Sequence, residues 1–343
     1  MPVMGWICTV LGGLLLLVVI VDRAQAIVRY RMGGRPGAWW RARRGGGLNV
    51  DALSLRLGVQ PDDLRGDPMY SVRFIPKRRG GQRKLLVPDS RTKEIQRRIL
   101  RRLLRKLRAH DAATAYERDR NIVTHARPHE GRAVVITLDL VDFFPSTDAD
   151  RVQAYFQRIG WSREAAELLS HWTTFEGGLP QGAPTSPRLS NLVNHGFDAR
   201  IAAAVARRKG TYTRYADDIA ISFPKNYPRR MRGIIQRVRA IARSHGYRVH
   251  GPGKIRIMRG HQQQRVTGLV VNERARLPRK TRRWLRAVEH RIATGGKASL
   301  TEAQLKGWQA YAEMIERGCG SQADRESSRF AQERLTSSGK SST

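Results

Sequence analysis

Apolar positions recur along the chain with two periods, and these sort it into helices and strands. Residues 91–107 place Ile95, Ile99, Leu103 and Leu107 at every fourth position, which predicts one amphipathic helix. Residues 49–64 carry Val50, Leu53, Leu55 and Leu57, a break at Gly58 and a restart at Pro61, so they predict a short helical hairpin. Such a piece resembles a DNA-binding helix-turn-helix, but its commoner use is to pack on the domain that follows. Residues 70–87 alternate around Gly80-Gly81 and predict a β-hairpin. Residues 133–138 read as a buried strand, 211–223 as a second hairpin and 266–271 as a further strand. Helices are expected over 151–170 with a break at Gly160, over 189–209 as one long helix, over 231–245, and from Arg279 onward. The mixture is α+β, with no internal repeat.

Charge narrows the partners. Lys and Arg total 64 against 29 acidic residues, a net charge of +35 in 343 residues. A GC-rich genome would explain Arg in place of Lys, but not this excess over acids. A polyanion is the expected partner, nucleic acid before an acidic membrane. The two cysteines, Cys8 and Cys319, provide neither a disulfide framework nor zinc spacing, which fits a reducing compartment.

The amino terminus stands apart. Residues 4–21 form an uncharged run of 18, the lower limit for a membrane-spanning helix. Seven arginines from Arg23 to Arg44 follow it, which would put the rest of the chain in the cytoplasm, anchored at the inner membrane. Two other readings stand beside this one. Ala24-Gln25-Ala26 resembles a signal-peptide cleavage site, and Met32 offers an alternative start that would remove the run altogether. Residues 1–31 are therefore set apart as an anchor or a mis-assigned start. Residues 32–69 read as a basic linker and helical extension, 70–272 as the main body, 273–335 as a helical region and the Ser-rich 336–343 as a disordered tail.

Three segments carry chemistry. In Tyr215-Ala216-Asp217-Asp218, two adjacent carboxylates sit inside a strand-like run, which is costly unless something neutralises them. An exposed turn would also explain the pair. Asp139, directly after the buried strand, can be brought beside it, and three carboxylates suit hard divalent cations in the two-ion arrangement used for phosphoryl displacement. The third segment, Leu179-Pro180-Gln181-Gly182-Ala183-Pro184-Thr185-Ser186-Pro187, is an irregular loop before a helix.

In order and spacing these segments resemble the palm motifs of reverse transcriptases, over about 70–317. The resemblance implies a right-hand polymerase with fingers, a palm built on an antiparallel sheet and a short helical thumb. Asp139, Asp217 and Asp218 would be catalytic and hold two Mg²⁺ ions, and Asp142 matches an acidic position that is not a primary ligand. Lys77 and Arg83 in the fingers hairpin would bind the triphosphate, since a point-charge Lys and a bidentate Arg suit phosphate. Phe144 would be the steric gate against a ribose 2′-OH, Gln181 would lie by the nascent base pair, and Lys254 would stand near the pyrophosphate as a general acid. Within the family the chain is most similar to bacterial retron enzymes, through Val266-Thr267-Gly268 and the segment from His125 to His129. His125 stands where those enzymes have Asn, and Asp119 and Asn121 depart from their usual Gly and Ser. His125, His129, Val266, Thr267 and Gly268 would position RNA or primer. The implied partners are deoxynucleotides, a structured non-coding RNA serving as template and primer, the RNA–DNA hybrid, and an effector protein in antiphage defence. Other template or priming modes, and a silent RNA-binding scaffold, are the rival readings.

Overall fold

Gly80 and Gly81 adopt φ of 87° and 79°, a left-handed turn that closes the first hairpin. The computed structural model describes residues 48–77 and 80–318. They form two compact units: the described residues within 1–110 and 142–196 make one, those within 111–141 and 197–343 the other.

In the first unit, β1 (Tyr70–Pro76) pairs antiparallel with β2 (Gln82–Pro88), with Ile75 opposite Arg83. Helices α1 (Val50–Leu57) and α2 (Pro61–Leu64) precede the hairpin; Asn49 caps α1 and Gly58 ends it in a left-handed turn. After it come α3 (Ser90–Arg98), capped by Asp89, then α5 (Ala149–Arg158), α6 (Arg163–Thr173) and α7 (Ser186–Val193). Trp172, 1% exposed, anchors this unit and donates its indole N–H to the Leu64 carbonyl.

The single helix expected over 91–107 is not uniform. Residues Ile99–Leu104 form a π-turn, closed by an Arg105 amide bond to the Leu100 carbonyl. The extra residue rotates the face, so Leu104 is buried completely while Leu103 is half-exposed. The helix expected over 189–209 is two, α7 and α8 (His195–Ala206). The break falls at Asn194, whose Nδ2 donates to the Ser190 carbonyl and whose Oδ1 accepts from Arg151; a side chain that competes with the backbone for hydrogen bonds ends the first helix.

The second unit is built on a four-stranded antiparallel sheet, ordered β4 (Thr211–Tyr215), β5 (Asp218–Phe223), β3 (Val134–Asp139) and β6 (Arg256–Arg259). Val134, Val135 and Ile136 are fully buried in its centre. The short helix α4 (Ile122–Ala126), boxed at its start by Asn121 and Thr124, and the long α9 (Pro228–Arg243) belong to the same unit. The strand expected over 266–271 is instead a minimal hairpin, β7 (Arg265–Val266) and β8 (Leu269–Val270), turned by Thr267 at φ 44° and Gly268 at φ 87°. Val266 and Leu269 pack with Val135, Ala220 and Ile315. Helices α10 (Arg279–Ala293) and α11 (Glu302–Gly318) follow, joined by the edge-on rings of Trp284 and Trp308 with centroids 5.6 Å apart.

Among the described residues no helix is long and apolar enough to cross a membrane. The run 4–21, the linker 32–47, both cysteines and the tail 336–343 lie outside the described residues.

The Gln181 loop is tied to the hairpin by the Leu86 amide, which donates to the Gln181 carbonyl at 2.9 Å. Gly182 makes this approach possible: its φ is 135°, and a Cβ there would stand 2.5 Å from the Leu86 carbonyl oxygen. Gly182→Ala is expected to destabilise the fold by ~1–3 kcal/mol, through strain and clash together. An unchanged midpoint in thermal unfolding would contradict this.

Candidate active site

Local chain geometry brings the three aspartates to one end of the second unit's sheet. Asp139 is the last residue of β3 and Asp218 the first of β5, and the register sets them opposite one another. The Leu140 amide donates to the Asp217 carbonyl at 3.1 Å. Only Ala216 and Asp217 lie between β4 and β5, and Ala216 takes a left-handed φ of 55°. That conformation costs of order 1–3 kcal/mol in a non-glycine residue, so something must hold it.

The holder is a buried ion pair that sequence reading missed. Arg214 and Asp198 are both fully buried. Arg214 donates from Nε to Asp198 Oδ1 at 2.8 Å and from Nη2 to Oδ2 at 2.7 Å, and its Nη1 donates to the Ala216 carbonyl at 3.0 Å. The Tyr212 hydroxyl donates to Asp198 Oδ1 at 2.7 Å. Burial works against the guanidinium charge, but Asp198 outweighs it and leaves the Arg214 pKa above its ordinary value. A strand arginine beside a helical aspartate carries no spacing signal; the basic residue just before Tyr215 was the only hint.

Lys254 stands beside Asp139, with Nζ 3.3 Å from Asp139 Oδ2 and 2.9 Å from His250 Nε2. His250, also missed, is 3.5 Å from the same carboxylate oxygen and gives its backbone amide to the Asp139 carbonyl. The Asp218 carboxyl is pushed up from 3.8 to about 7, first by loss of solvent, then by the charges of Asp217 and Asp139, with Lys254 opposing. An excess of negative charge and hard oxygen donors fits a divalent cation, with Asp139, Asp217 and Asp218 as its holders. Among the described residues no three His, Cys, Asp or Glu side chains already converge as a metal site.

The other expected residues fall in different places. Lys77 and Arg83 are both exposed on the first unit's hairpin. Arg83 faces Ile75, and the Lys77 amide continues the ladder to the Gly81 carbonyl, so the two side chains share a face. Phe144 is half-exposed, its ring 5.4 Å from that of Phe143, which is the buried one. Asp142 is exposed at φ 45°, and Gln181 is half-buried.

His125 and His129 are 1% and 0% exposed. His129 spans two strands, with Nδ1 2.7 Å from Ser222 Oγ and Nε2 2.7 Å from Thr213 Oγ1. Burial first, then nearby positive charge, lowers both imidazoles from 6.5 to about 3, so they are neutral struts under the sheet. Neither imidazole is presented at the surface. Val266 is likewise buried, and Gly268 is the exposed residue at the hairpin tip.

A carboxylate pair on a hairpin turn beside a third at a neighbouring strand end suits the metal-dependent phosphoryl-transfer class of site. Residues 75–271 match the family model "Reverse transcriptase (RNA-dependent DNA polymerase)", and the chain belongs to that family. It is 35% identical over 322 residues to the retron Mx162 reverse transcriptase of Myxococcus xanthus, covering 80% of this chain and 66% of that protein. It is 37% identical over 292 residues to the retron Mx65 enzyme of the same organism, with coverages of 77% and 66%. With the retron Ec86 reverse transcriptase of Escherichia coli it shares 30% over 268 residues, with coverages of 76% and 80%. The chain thus spans about two thirds of the two Myxococcus proteins and is of the retron type.

Asp218 titrates high in the folded state, so it contributes stability that is complete below 3.8 and is lost as pH rises through about 7. Asp218→Asn should therefore raise the thermal midpoint of the metal-free protein at about pH 8 and much less at about pH 5. An equal change at both values would remove the like-charge account.

Proposed function

We propose that the protein is an RNA-directed DNA polymerase of the retron kind. It would copy a structured non-coding RNA from its own locus, prime from a 2′-OH within that RNA, and leave a branched RNA–DNA product used with an effector in antiphage defence. The observation that carries the reading is the Asp139–Asp218 register beside Asp217, in a chain whose residues 75–271 match the reverse transcriptase model. Residues 70–272 would supply fingers and palm, and 273–335 the thumb. Residues 4–21 would hold the enzyme at the inner membrane if they are translated and retained.

Asp139, Asp217 and Asp218 would hold two Mg²⁺ ions. When bound, these lower the pKa of the attacking 3′-hydroxyl and neutralise the leaving pyrophosphate. The chain's own residues do the rest. Lys77 and Arg83 would bind the triphosphate, and Gln181 would lie by the nascent base pair. Phe144, with part of its ring free of the core, would exclude a ribose 2′-OH. Lys254, an ammonium at 3.3 Å from Asp139, would give a proton to the departing pyrophosphate. His125 and His129 would hold the strands that carry the aspartates, and the Thr267-Gly268 tip would meet the primer.

Asp217→Asn should abolish extension of a primed RNA template while the protein still folds. Extension near the wild-type rate would sink the reading. Phe144→Ala should lower the preference for dGTP over GTP by at least tenfold, ~1.4 kcal/mol of discrimination. An unchanged preference would mean that Phe144 is not the gate.

A further inference from the structure

The sheet that carries the aspartates at one end gathers positive charge at the other. Lys209 precedes β4, Lys225 follows β5, Arg132 precedes β3 and Arg259 closes β6, while the register sets Val134 opposite both Phe223 and Arg259. Phe223 lies five steps beyond Asp218 along β5, about 17 Å at strand rise. This end of the sheet is therefore distinct from the carboxylate site.

A cavity of about 290 Å³ opens there, and its cationic lining is Arg207, Arg208, Lys209, Lys225 and Arg230, all exposed. No carboxylate contributes to its wall. Among the described residues none of Arg207, Lys209, Lys225 or Arg230 is tied up in an ion pair; Arg208 donates to the Ala204 carbonyl. Like charges crowded around a concavity repel one another, and an anion relieves that repulsion. Phe223 and Met231 give the cavity a buried apolar side. The remaining wall is Pro224 and Tyr227, the latter 44% exposed with the Arg230 guanidinium 4.6 Å from the centre of its ring. A half-exposed tyrosine ring with a guanidinium over one face, inside a ring of cationic side chains, is the chemistry that takes an unpaired nucleotide. The volume lies at the small end of the range for ligand pockets and suits a single residue of a chain.

We propose that this cavity is a second nucleic-acid site, which seats one unstacked nucleotide of a single strand by stacking its base on Tyr227 and pairing its phosphates with Lys225, Arg230 and Lys209. The proposal rests on the polymerase reading and adds to it a hold on the strand remote from the carboxylates. Template RNA and product DNA share this chemistry.

The test uses the full-length protein and two fluorescent 12-nucleotide probes of one sequence, RNA and DNA. Anisotropy gives affinity against salt for the wild type, Lys225→Ala, Arg230→Ala, Tyr227→Ala and Tyr227→Phe, with thermal unfolding as the folding control. Tyr227→Ala should weaken binding ~5- to 100-fold, the range for loss of one stacked base, and Tyr227→Phe should retain it. Each cation removed should lower the slope of log affinity on log salt by ~0.7. A 4-thiouridine probe should crosslink to the peptide that contains Tyr227. Tighter RNA binding assigns the site to the template, and tighter DNA binding assigns it to the product. Affinities within twofold of wild type for all four variants, with unchanged slopes, would overturn the proposal and leave the cavity to another anion. Loss with the cation variants alone would overturn the stacked base. Wild-type extension of a primed RNA is measured in parallel: its absence would sink the polymerase reading, whereas intact extension with unaltered binding by the variants would sink this inference alone.

Discussion

A fully buried arginine inside a β-sheet is a constraint before it is a contribution. Arg214 cannot leave its charge uncompensated, so Asp198 must stand where it does, and Tyr212 must complete the carboxylate's hydrogen bonds. Such a pair gives little net stability, because desolvation offsets most of the attraction; removing one partner costs about 3–5 kcal/mol. What it adds here is direction. With two guanidinium nitrogens fixed on Asp198, the third is aimed at the Ala216 carbonyl, and the turn that carries Asp217 is held in a conformation that alanine would otherwise avoid. Helix α8, strand β4 and the aspartate turn thus form one rigid unit through a single side chain.

That rigidity explains how three carboxylates share one end of a sheet. Unpaired, they would drive the turn apart. Asp139 is partly compensated by Lys254, and His250 is positioned beside both. Asp218 feels Lys254 less than it feels the loss of solvent and the charges of Asp217 and Asp139, so its carboxyl is pushed up to about 7. The site is thus strained electrostatically in one direction, toward acquiring positive charge, while the backbone beneath it is fixed. This is preorganisation by like charge: the fold bears the repulsion, and a divalent ion relieves it.

Much of the architecture was legible because its causes are local. Turn glycines, alternation and the apolar run over 133–138 each announce an element, and the aspartates announced themselves as carboxylates where strands should be apolar. What was not legible depends on neighbours distant in sequence or on one extra residue. Spacing by four continued through Ile99 and Leu103, yet a π-turn buries Leu104 instead. Nothing local marks Asn194 as a helix stop, because one of its partners is Arg151, 43 residues away. Arg214 and Asp198 are 16 residues apart and look like any surface charges until the sheet closes over them. The histidines at 125 and 129 invited a surface role because imidazole is polar; both are buried, and the His129 partners Ser222 and Thr213 lie on strands that only the fold brings close.

Backbone strain adds the last step. Seven described non-glycine residues take positive φ, and three of them, Asp142, Ala216 and Thr267, fall inside the segments singled out for chemistry. Residue type gave no warning, since Thr is β-branched and among the poorest choices for that region. A strained conformation persists only where its surroundings over-determine it. At Ala216 the cause is visible in the Arg214 bond. At Thr267 it is the hairpin itself, whose flanks Val266 and Leu269 are locked in the core while the turn stands outside it. In both cases a buried anchor fixes the shape of a tight turn. The core residues Arg214, Val266 and Leu269 therefore matter as much as Asp217 does, because they fix where the Asp217 carboxylate and the Thr267-Gly268 turn stand before any ligand arrives.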